Sequence, residues 1–104
     1  MEQLVDSDGR NIRFTDERKK HIESDHPEMA GQLAKIAETI SNPDIIIKSR
    51  TDSQAELFYK RYSGSPVGAK YLCVIVKTID SDCFILTSYF TDTIKRGERL
   101  WTKK

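Results

Sequence analysis

The sequence predicts an α+β domain in which an N-terminal hairpin and two helices pack on a four-stranded antiparallel sheet. Three observations lead there. The chain is 104 residues long, enough for one core and a single domain. Its apolar residues follow a helical period early and a period of two later, with the change at SerAsnProAsp. Its turns are short and rich in Ser, Asp, Gly and Pro, as antiparallel neighbours require.

The N-terminal hairpin is predicted from GluGlnLeuVal and ArgAsnIleArgPhe, which alternate around the turn-forming AspSerAspGly and carry Leu4, Ile12 and Phe14. Thr15 then suits an N-cap, with Asp16 and Glu17 complementing the helix dipole in the first turn, so a short helix should run to about Asp25. Pro27 disfavours helical geometry at His26 but suits the first position of a new helix. A second helix is therefore expected from Pro27 to Ile40, with Met29, Leu33, Ile36 and Ile40 as its apolar stripe.

Four strands are expected over Asp44–Arg50, Glu56–Tyr62, Lys70–Asp80 and Cys83–Thr91. TyrLeuCysValIleValLysThrIle is apolar on both faces and reads as a central strand. Strict alternation in the last strand would put Cys83, Ile85, Thr87 and Tyr89 on one face and Phe84, Leu86, Ser88 and Phe90 on the other.

With 38% hydrophobic and 32% charged residues, the composition is that of an ordinary folded domain. Charge is uneven: Met1–Asp44 holds six Lys/Arg against ten Asp/Glu, and the remainder eleven against six. The basic half suits a polyanionic partner, although solvated strand edges and a basic tail account for it equally well. The two cysteines, Cys73 and Cys83, fall at offset positions of one hairpin and are expected as reduced thiols in a cytoplasmic protein. Neither a membrane span nor a signal peptide is expected, since no apolar run approaches 18 residues.

Both histidines, His21 and His26, lie in RKKHIESDHPEM. Their five-residue step before a proline does not match the four-residue step of helical zinc pairs, so no metal or other cofactor is expected. His21 falls at the edge of the buried helix face, one turn before Asp25, and reads either as an acid/base group or as an exposed helix residue. His26, at the helix break, reads as a second such group or as a cap on free carbonyls. Thr87 and Tyr89 offer a hydroxyl and a phenol near a strand end. Lys48, Arg50, Tyr59, Lys60, Arg61, Tyr71 and Lys77 interleave bases and aromatics on the neighbouring strands, a pattern shared by RNA-binding and ordinary sheet surfaces.

Glycine-rich phosphate loops, nucleophile elbows and kinase signatures are absent from the sequence, which disfavours nucleotide-dependent transferases and serine-type hydrolases. Chemistry that needs only a base, an acid and cationic donors around a phosphate remains, and cleavage of RNA by its own ribose 2′-hydroxyl is of that kind.

The order of ArgLysLysHisIle, HisProGlu, IleSerAsnProAspIleIle, GluLeuPheTyrLys, IleLeuThrSerTyrPheThr and LysArgGlyGluArgLeuTrp resembles the phage-associated branch of the barnase, EndoU, colicin and RelE-like nucleases, from Phe14 to Trp101. The resemblance implies a metal-independent ribonuclease fold, frequently a toxin or effector domain, with RNA as substrate and an immunity or antitoxin protein as an inhibitor partner. It puts His21 in the cleft with His26 as second candidate, Thr87 and Tyr89 in its ThrSerTyr element, and Tyr59 and Lys60 in its PheTyrLys strand. Arg50 as phosphate clamp and Lys77 as a further contact follow from position and charge. The early segment departs by being acidic, which suits RNA only if those carboxylates face away. A non-catalytic module binding RNA or a protein on the same scaffold is the alternative.

Overall fold

The computed structural model describes residues 1–104. Its elements are β1 (Glu2–Val5), β2 (Asn11–Phe14), α1 (Asp16–Asp25), a 3₁₀ turn (Pro27–Met29), α2 (Leu33–Ser41), β3 (Ile45–Lys48), β4 (Ala55–Ser65), β5 (Gly68–Ile79), β6 (Asp82–Thr91) and β7 (Arg99–Thr102). No helix is long and apolar enough to cross a membrane.

The domain is α+β, but the expected four-stranded antiparallel sheet is corrected to a seven-stranded mixed one of order β1-β2-β6-β5-β4-β3-β7. Two additions explain the difference. The N-terminal hairpin does not stand apart: β2 joins β6 through a single parallel bridge, Arg13 to Phe84. The basic tail forms β7, paired antiparallel with β3. Every residue of β7 is exposed, so it carries no alternation of burial for a pattern to reveal.

The hairpin turn is organised by Asp6, whose buried carboxylate accepts from the backbone N–H groups of Asp8 and Arg10 and from Arg10 Nε. Arg10 continues to Glu56 on β4 at 2.6 Å, tying the turn to the sheet. Thr15 caps α1 as its sequence suggests, its hydroxyl accepting from the Arg18 N–H. The expected helix from Pro27 to Ile40 is two pieces, because Gly31 turns left-handed at φ +75° and ends the 3₁₀ turn before α2 begins.

The helices cover one face of the sheet. Ile22 from α1, Met29, and Ile36 and Ile40 from α2 pack with Phe58, Leu72, Val74, Val76 and Ile85, each side chain contributing about 1.5 to 3 kcal/mol by leaving water. The opposite face, here the open face, has a smaller apolar cluster of Ile45, Ile47, Leu57, Tyr59 and Cys73.

A β-bulge corrects the expected alternation of β6. Val76 pairs with Ile85 but Ile75 pairs with Thr87, so Leu86 is an extra residue. Cys83 and Ile85 consequently join the helix-side core, while Thr87 and Tyr89 sit with Ile75 and Cys73 on the open face. Cys73 and Cys83 thus point to opposite sides of the sheet, and both are free.

Candidate functional site

The open face is built in cross-strand rows. Leu57, Ile75 and Thr87 form one, Tyr59, Cys73 and Tyr89 the next, and Arg61, Tyr71 and Thr91 the third. Tyr59 is fully buried and meets Tyr71 edge-on, ring centroids 6.4 Å apart. Cys73 is also fully buried, and desolvation pushes its thiol up to about 11. Burial likewise raises the phenols of Tyr59 and Tyr89 above the ordinary tyrosine value.

His26 reaches this face because the sheet is interrupted beside it. β2 pairs with β6 only at Phe84, so the rest of β6 is unpaired on that side, and the end of α1 and the 3₁₀ turn pack there. His26 closes α1, its N–H bonding the Ile22 carbonyl at 2.7 Å, and Pro27 turns the chain away. The imidazole lies 5.5 Å from the Tyr89 ring, centroid to centroid, tilted by 34°. Its Nδ1 is 3.6 Å from Glu28 Oε1, which leaves Nε2 without a partner.

The connection from β6 to β7 supplies two of the cations, Lys95 and Arg96. Tyr59 holds it, its phenol oxygen accepting from the Lys95 N–H at 3.1 Å. Ile94 packs on the open-face cluster, and the Lys95 ammonium stands 6.0 Å from the centre of the Tyr89 ring. Gly97 permits close approach to β3, since a Cβ there would lie 2.6 Å from Ile47 Cγ2 and collide with the Lys48 carbonyl oxygen. Arg50, Lys95 and Arg96 then line a groove of about 400 Å³ floored by Leu57, Ile75 and Leu86. None of these three cations makes an ion pair.

Of the residues singled out from sequence, His26, Thr87, Tyr89 and Tyr59 come together on the open face, with Arg50 in the adjoining groove. Tyr89 presents its ring, while its hydroxyl is buried without a hydrogen-bond partner. His21 stands elsewhere, 61% exposed on α1 with Nε2 3.2 Å from Asp25. Lys60 lies on the helix side of β4, bonded to the Asn42 carbonyl at 3.0 Å. Lys77 is on the open face but paired to Asp52 at 2.8 Å, which holds that carboxylate below its usual range.

Sequence reasoning missed Lys95, Arg96 and Glu28 as parts of the site. The run LysArgGlyGluArg after the last expected strand was the available signal, and Gly97 within it marks where the connection touches β3. No group of three His, Cys, Asp or Glu side chains is arranged to hold a metal ion.

No curated protein and no solved structure matches the chain. A family model does, over residues 2–104: PBECR2, described as phage-Barnase-EndoU-ColicinE5/D-RelE like nuclease2. With a match that spans nearly every residue, open face and basic connection included, the chain belongs to this family of nuclease-like domains.

Proposed function

We propose that this protein is a metal-independent endoribonuclease that works on the open face of its sheet. One observation carries the reading: the imidazole of His26 and the ammonium of Lys95 converge on the ring of Tyr89, beside a groove lined by two further unpaired cations.

In this reading His26 Nε2 takes the proton of a ribose 2′-hydroxyl as that oxygen attacks the adjacent phosphorus. The bond to the 5′-oxygen breaks, and the Lys95 ammonium protonates the departing oxygen. The products are a 2′,3′-cyclic phosphate and a free 5′-hydroxyl. Glu28 stands beside Nδ1, on the edge of the ring away from the nitrogen that takes the proton. Arg50 and Arg96 stabilise charge on the non-bridging oxygens, with Thr87 offering a neutral donor. Tyr89 acts through its ring, setting the distance between imidazole and ammonium. The groove draws its cations from β3 onward and its one carboxylate, Asp52, is paired with Lys77, while the early segment brings to the site His26 with a single carboxylate, Glu28. A toxin or effector role with an inhibitor protein follows from the family resemblance, and the exposed cations of the groove suit an acidic inhibitor.

The test is incubation with transfer and ribosomal RNA, with and without chelator, beside an oligonucleotide carrying a 2′-deoxy sugar at the cut position. Cleavage that survives chelation, leaves cyclic phosphate ends and stops at the deoxy sugar is expected. Activity restored only by magnesium or zinc would overturn the mechanism, and RNA bound but left whole would favour the non-catalytic module.

A further inference from the structure

Arg61 and Tyr71 occupy the third row of the open face and take no part in the proton chemistry. They are cross-strand partners, and the Arg61 guanidinium carbon stands 5.4 Å from the centre of the Tyr71 ring. Fully buried Tyr59 meets Tyr71 at 89° and props it from below. The Tyr71 hydroxyl makes no hydrogen bond. Arg61 is exposed and makes no ion pair: the nearby Asp44 carboxylate accepts from its backbone N–H at 2.9 Å, not from the guanidinium. A planar cation and an aromatic ring, both with open surface and neither tied to a partner, form a platform for a flat π-system.

Position gives the platform its meaning. Tyr71 is two residues from Cys73, whose cross-strand neighbour Tyr89 carries the His26 contact. Two residues along a strand span about 6.6 Å. A chain whose phosphate lies over Tyr89 therefore brings the adjoining nucleotide over Tyr71, while its other side runs toward Arg50 and Arg96.

We propose that Tyr71 and Arg61 form a stacking subsite for the nucleobase next to the scissile phosphate, so that the substrate is unpaired RNA. The subsite rests on the nuclease reading for its substrate, but its binding is measurable apart from cleavage. A base inside a duplex has both faces covered and cannot use the platform.

The experiment is a binding cycle with the full chain, read by fluorescence anisotropy. The probes are five-nucleotide RNAs with a 2′-deoxy sugar at the central position to block cleavage, intact or with one abasic nucleotide beside it. Wild-type protein should lose about tenfold in affinity when the abasic nucleotide lies on one particular side, and little on the other. Tyr71→Leu, which keeps apolar volume, should show that loss on the intact probe and no further loss on the abasic one. Arg61→Gln, at an exposed position, should give a smaller loss with the same non-additivity.

Additive losses, or equal affinity for a blunt duplex of the same length, would overturn the subsite even in a protein that cleaves RNA. Non-additive losses in a protein that leaves intact RNA whole would uphold the subsite and overturn the nuclease reading instead.

Discussion

The phenol oxygen of Tyr59, at the bottom of the open face, accepts a hydrogen bond from the backbone N–H of Lys95 at 3.1 Å. A fully buried strand residue thereby fixes an exposed connection whose side chains Lys95 and Arg96 line the groove. Tyr59→Phe keeps the ring and removes this acceptor together with the hydroxyl's contact to the Cys73 thiol. Stability should fall by about 1 kcal/mol. RNA cleavage should fall about tenfold through kcat, because the cations lose their set position. Unaltered kcat with lowered stability would make the bond purely structural.

Gly97 tests the same connection from its other end. Gly97→Ala sets a methyl group against the Lys48 carbonyl oxygen and Ile47, both on β3. Relief requires the connection to lift or β3 to shift, at about 1 to 3 kcal/mol. Thermal unfolding should show the loss, and binding of a blocked RNA should weaken with it. Retained stability and binding would show that the connection adapts freely.

The histidines are expected to separate by location. His26→Ala should lower the cleavage rate by 10²- to 10⁴-fold, the range for a positioned acid or base. His21→Ala should leave rate and melting temperature nearly unchanged, since the imidazole is 61% exposed and its ion-pair partner is the similarly exposed Asp25. A collapse of rate in His21→Ala with normal activity in His26→Ala would move the chemistry to α1.

Cys73 makes a prediction about alkaline pH. Burial holds it near 11 in the folded chain, above the ordinary thiol value of 9.0. Between these values the unfolded chain has released a proton that the folded chain keeps, so stability falls as pH rises. The contribution is fully present below pH 9 and lost through pH 11, amounting to roughly 3 kcal/mol at full titration. Melting temperature should decline as pH rises through 9, and Cys73→Ala should flatten the start of that decline, below about pH 9.5, where the unfolded thiol titrates ahead of the tyrosines. An equally steep decline in the variant would assign the effect to another group.

The elements themselves were legible in the sequence. Hydrophobic period, the Thr15 cap and the turn residues located the hairpin, α1 and four strands within a few residues. What escaped depends on partners far away in the chain. The single bridge from Arg13 to Phe84 enlarges the sheet without a local trace, and β7 is exposed throughout. The bulge at Leu86 adds one residue to a run that still reads as plain alternation, yet it decides which face Thr87 and Tyr89 occupy. For the site, residue types and neighbourhood were legible. The juxtaposition of His26 with Tyr89 was not, because it arises only through the gap left beside β6.

The two faces of the sheet also divide how this sequence is free to vary. In β4, Phe58 and Tyr62 pack toward the helices, while Tyr59 and Arg61 face the open side. Neighbouring codons thus answer to different demands, one set to persistence of the fold and the interleaved set to whatever lies on the open face. A lineage that changed its target would alter the accessible open-face positions such as Arg61 and Tyr71, while the helix-side set and buried Leu57, Tyr59 and Cys73 stay tied to the fold. Past Leu86 the parity reverses in β6, so an inserted or lost residue there would exchange the two sets at a stroke.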